Sequence, residues 1–184
     1  MPQFPWAAPV GPLSSADGPP NTTAALADIS PGGLVIGAAK TIYPGMLSPG
    51  TVIRLRARGE ATQGTTANTL SIGFYWGGVA GTAIAAITGV TVAVSAAAWP
   101  WWLEWEGEVR ATGSAGSVKG CGYLSPPTSL AGDQANFPIP VTAAARTVSV
   151  DMSAAKAVTV GAAFSGVTGG VSVTCYGLTV ELLG

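Results

Sequence analysis

The sequence has no histidine, two cysteines, and few charges: 8 Lys and Arg with 9 Asp and Glu among 184 residues. Without imidazole there is no Ser-His or Cys-His nucleophile and no histidine ligand for a transition metal. Cys121 and Cys175 are too few for a thiolate zinc site, and no short Asp/Asn/Gly loop offers converging oxygens to a hard cation. The sequence therefore predicts no metal, no cofactor and no enzyme. A formal charge of -1 and a pI near 5.2 give no basic surface for neutralising phosphates, which argues against nucleic acid as a partner.

Two kinds of segment are also missing. The stretch MPQFPWAAPVGPL has neither the basic n-region nor the apolar h-region of an export signal, so synthesis and retention in the cytoplasm are expected. The two thiols then read as unbridged, although their number alone leaves one Cys121–Cys175 bridge open. No charge falls between Glu60 and Glu104, and residues 79–103 are long enough to span a bilayer. Gly81, Thr88, Gly89, Ser95 and Pro100 interrupt that stretch and no basic residues flank it. It reads as strands with turns, and no membrane is expected.

Glycine (26) and proline (14) are abundant, and proline is unevenly placed. Half of the prolines (Pro2, Pro5, Pro9, Pro12, Pro19, Pro20 and Pro31) lie in the first 33 residues. Proline fixes φ and lacks an N–H, so residues 1–33 are predicted to be an extended arm that does not form a ladder, ahead of one domain over residues 34–184. Phe4, Trp6, Val10 and Leu13 are the arm's apolar residues, suited to a groove of its own domain or of a neighbour. Residues 22–29 read as a turn of helix capped by Asn21.

Beyond Thr51 the apolar period is two. Ile53, Leu55 and Ala57 alternate with Arg54, Arg56 and Arg58, and Leu70, Ile72, Phe74 and Trp76 form the next apolar face. Trp101, Leu103, Trp105 and Val109 face one way, while Trp102, Glu104, Glu106, Glu108 and Arg110 face the other. Further runs cover residues 118–124, 148–152, 158–164 and 171–182. In the last run the apolar phase changes, which predicts a bulge near Gly177. About eight strands separated by Gly, Pro, Asn and Ser, with no helical stripe, predict an all-β antiparallel sandwich or barrel. Residues 126–140 are expected to cross one end as an ordered loop.

The Arg54, Arg56, Arg58 and Glu104, Glu106, Glu108 rows predict a cross-strand charge ladder if their strands are neighbours. If each row lies at an edge, they could instead meet between two subunits. Three alike carboxylates on one strand lack the unlike surroundings that separate an acid from a base, which argues against glycoside hydrolysis. Trp102 falls on the outer face and is the aromatic best placed to meet a protein or a glycan. Residues 113–120 superficially resemble a phosphate loop but lack its Gly-Lys-Ser/Thr ending and read as a hairpin turn, as do residues 77–82.

Residues 69–78 (TLSIGFYWGG), 98–110 (AWPWWLEWEGEVR) and 113–123 (GSAGSVKGCGY) resemble small virion structural proteins of tailed phages of actinobacteria. That resemblance implies a jelly-roll-like β-sandwich and a capsid decoration or minor head protein. Its partners would be the major capsid protein and copies of itself, as a homotrimer on the virion surface. The alternative reading is a receptor- or carbohydrate-binding module of a tail or head fibre.

Overall fold

The computed structural model describes residues 8–9, 17–31, 41–129 and 135–184. The strands in chain order are β1 (Ala8–Pro9), β2 (Ala27–Asp28), β3 (Thr41–Ile42), β4 (Val52–Gln63), β5 (Thr69–Trp76), β6 (Thr82–Thr91), β7 (Ala96–Ala111), β8 (Ser117–Ser125), β9 (Phe137–Ile139), β10 (Thr147–Ser149), β11 (Lys156–Phe164) and β12 (Val171–Leu183). The only helical pieces among the described residues are two 3₁₀ turns, Pro44–Met46 and Ala144–Arg146.

The strands form two antiparallel sheets packed face to face, an all-β sandwich. One sheet runs β1-β12-β4-β7-β8-β10 with β9 also on β8, and the other runs β2-β11-β5-β6 with β3 also on β11. The Gly77–Gly81 turn joins β5 to β6, and a turn at Gly113 joins β7 to β8. The connections from β4 to β5, β6 to β7, β10 to β11 and β11 to β12 change sheet, so β12 returns beside β4 and β11 beside β5. Residues 79–103 are thus divided among a turn, β6 and β7. Among the described residues no helix is long and apolar enough to cross a membrane.

Side-chain alternation determines the core. Ile53, Leu55, Trp101, Leu103 and Trp105 from one sheet meet Leu70, Ile72, Phe74, Val158 and Val160 from the other, all buried. Indoles need room that the sheet spacing does not automatically give. Trp105 obtains it from the register pair Gly107–Gly120: a Cβ on Gly107 would lie 2.1 Å from the ring, and one on Gly120 would lie 2.5 Å from it. Trp101 donates its indole N–H to the Glu60 carbonyl and Trp76 donates to the Asp151 carbonyl, whereas the Trp105 N–H is buried without a partner.

The sheet edges correct four sequence-based expectations. Ala8–Pro9 pairs with Glu181–Leu182 and Ala27–Asp28 pairs with Gly161–Ala162, so four residues of the expected arm do join ladders. Pro9 is tolerated because its position is an edge. Residues 22–29 form no helix. Asn21 Oδ1 accepts from the backbone N–H and hydroxyl of Thr23, and its Nδ2 donates to the carbonyls of Ala25 and Ala162. Asn21 therefore caps a turn that leads into β2, and its backbone bridges Val173 of the opposite sheet. Within residues 126–140 the chain adds β9 to β8 and does not only cross the end. The run at 148–152 is a strand only as far as Ser149. Val150 and Met152 then bond to the carbonyls of Gly116 and Gly113.

The bulge expected near Gly177 is present as a register shift between Cys175 and Gly177. The edge strand β6 carries two such shifts against β5, which break its regularity.

Candidate functional site

The outer face of the first sheet carries the chain's densest functional chemistry. Because side chains alternate, the outward residues of β12, β4, β7 and β8 form rows across the sheet. One row reads Glu181, Arg54, Glu106, Cys121; the next reads Thr179, Arg56, Glu104, Tyr123; a third reads Leu183, Val52, Glu108, Lys119.

β4 and β7 are direct neighbours, so the Arg and Glu rows meet within one chain. Arg54 binds Glu106 through Nε and a terminal nitrogen, each at 2.8 Å, and lies 3.7 Å from Glu181. Arg56 lies 3.8 Å from Glu104. The ladder has two rungs and not three, because the register sets Arg58 opposite Trp102 and Glu108 opposite Val52. Glu108 instead pairs with Arg110 of its own strand at 3.2 Å. These pairs are solvent-exposed and individually weak, and acting together they favour this register over a slipped one.

Trp102 projects outward and is 42% exposed, with Arg58 across on β4 and Ser125 across on β8. Tyr123 is exposed two residues along, beside Glu104. Burial raises the Tyr123 phenol above its ordinary value, and the charge and hydrogen bond of Glu104 raise it further. Phe4, Trp6, Val10 and Leu13 lie outside the described residues.

Three features of this face escape the sequence reading. Glu181 extends the Arg54 row onto β12. Tyr176, the extra residue of the bulge, donates its hydroxyl to the Glu60 carboxylate. Burial, that hydrogen bond and the nearby charges of Glu60 and Asp17 push the Tyr176 phenol up to about 12. Finally, Lys119 and Arg146 are brought together around a cavity bordered by Cys121. The signals for these in the sequence are the phase change near Gly177 and the outward phases of Lys119, Cys121 and Glu181.

No disulfide joins Cys121 and Cys175; Cys121 is exposed, and Cys175 is buried with its thiol donating to the Gly177 carbonyl at 3.3 Å. Among the described residues no group of three or more Cys, Asp or Glu is placed to hold a metal ion. The face can therefore make ion pairs, hydrogen bonds and aromatic contacts. Comparison with protein families, curated proteins and solved structures finds no match to this chain.

Proposed function

We propose that this chain is a structural subunit of a virus particle, a capsid decoration protein that packs as a homotrimer on the major capsid protein of a tailed phage. One observation carries the reading: charge is divided between the two sheets. β4 and β7 hold Arg54, Arg56, Arg58, Glu60, Glu104, Glu106, Glu108 and Arg110, whereas β5 and β6 hold no charged residue. The same sheet has charge only on its other strands, Asp28 on β2 and Lys156 on β11, so the β5–β6 surface can be buried against a shell with few ions to desolvate, while the charge-rich sheet keeps the particle surface wet.

Three strands of about nine residues present roughly 400 Å². A stable contact usually buries about 800 Å² per partner. A second contact is therefore required, and the arm residues Phe4, Trp6, Val10 and Leu13 have the chemistry to supply it. Bound this way, the protein holds capsomers together because rupture of the shell must also break its contacts.

The test mixes the purified chain with heads assembled without it. Saturable co-sedimentation and greater resistance of the heads to heat are expected, with binding lost in Ser71→Arg on β5 and kept in Arg56→Ser on β4. Heads that bind none of the chain would refute the proposal.

A second reading, a glycan- or receptor-binding module, draws on exposed Trp102 alone. It predicts saturable glycan binding that disappears in Trp102→Ala, together with indifference to heads.

A further inference from the structure

A cavity of about 360 Å³ opens on the charged face where β7 and β8 meet the Ala144–Arg146 turn. Gly107 and Gly120 contribute only backbone to it, and Val52 is its aliphatic side chain. This volume lies in the range of small-molecule sites.

The charges around the cavity do not balance. Its two acids are already committed, Glu106 to Arg54 at 2.8 Å and Glu108 to Arg110 at 3.2 Å. Lys119 and Arg146 also line it, and neither has an ion pair among the described residues. Their proximity is built into the topology: β10 pairs with β8 so that Thr147 stands opposite Lys119, and Arg146 immediately precedes Thr147. Glu108 is the register neighbour of Lys119, but its carboxylate is held by Arg110, so the lining carries three cations, Arg110, Lys119 and Arg146, against two acids, an excess that an anion would offset.

We propose that this cavity binds a small molecule bearing an oxyanion of the phosphate class, gripped by the Lys119 ammonium and the Arg146 guanidinium. Arginine offers a planar fork of donors and lysine a point charge, the usual pair of partners for a phosphoryl group. The volume left over, beside Val52, accommodates an uncharged organic portion. This site is independent of the particle role proposed above, since it lies on the charge-rich sheet and not on the β5–β6 surface.

Cys121 lines the same cavity and is an exposed free thiol, whereas Cys175 is buried, so the protein carries its own reporter. The folded full chain is alkylated with iodoacetamide, and modification of Cys121 is followed by mass spectrometry as inorganic phosphate is increased at constant ionic strength. Phosphate is expected to slow the reaction at least threefold and saturably, and the double variant Lys119→Ala, Arg146→Ala is expected to react at one rate whatever the phosphate concentration. A second measurement compares anionic iodoacetate with neutral iodoacetamide. The wild type should favour the anion at least twofold more than the double variant does. A wild-type rate that phosphate does not change, or equal slowing of both proteins, would overturn the proposal.

Discussion

Tyr176 shows how much a single misplaced period can accomplish. The bulge between Cys175 and Gly177 inserts it as an unpaired residue, and its hydroxyl reaches Glu60 on the neighbouring strand. Burial, the hydrogen bond to Glu60 and the surrounding carboxylates raise its pKa from the ordinary 10.0 to about 12. The folded chain therefore keeps a proton that the unfolded chain releases above pH 10. The associated stabilisation is complete below that pH and is lost as pH climbs through 12. Thermal melts between pH 10 and 12 should show a falling Tm that is flatter in Tyr176→Phe. Absorbance titration of the folded protein should show a tyrosine ionising near 12 that this variant lacks. The bulge is legible in the sequence because the apolar phase flips there. The bond to Glu60 is not, since its two residues are 116 positions apart.

At the level of strands, the crossed rows of β12, β4, β7 and β8 invite a charge exchange. Arg54→Glu would place a carboxylate between Glu181 and Glu106, and a lower urea midpoint is expected. Adding Glu106→Arg should recover at least half of that decrease, since it restores an opposite pair in the same register. No recovery would mean that the rows do not interact. Long strands were legible from their alternation: Ile53, Leu55 and Ala57 inward, Arg54, Arg56 and Arg58 outward. Short ones were not. β2, β9 and β10 have two or three residues each, fewer than a period-two pattern needs to show itself, and they exist because a longer strand offers them an edge. Asn21 illustrates the same limit. Its side chain suits a helix cap and an Asx turn equally, and the buried carbonyl of Ala162, across the fold, favours the turn.

On the scale of the whole molecule, the scarcity of charge is plain from composition, but its placement requires the fold. Only once β4 and β7 lie in one sheet and β5 and β6 in the other does a charge-poor chain become a two-faced one. Light scattering of the purified chain is expected to give a mass near three times 18.2 kDa, and to give the same mass in Ser71→Arg, whose face is the one proposed to meet the shell and not another copy. A lone 18.2 kDa species at every concentration would refute self-association. The cavity beside Lys119 and Arg146 could not be found from spacing, since the two are joined only by the pairing of β10 with β8.

The return of β12 to the side of β4 also affects how quickly the native state can be reached. Val52 is paired with Leu183 and Gln63 with Val171, so the central ladder of the charged sheet closes a loop of more than a hundred residues. Closing such a loop costs chain entropy before any contact rewards it, and proteins dominated by distant pairings refold in milliseconds to seconds. During synthesis, β4 must wait for nearly the whole of the rest of the chain before that edge is covered. In that interval β4 exposes an open ladder, so the nascent chain is most prone to aggregation just before the fold closes.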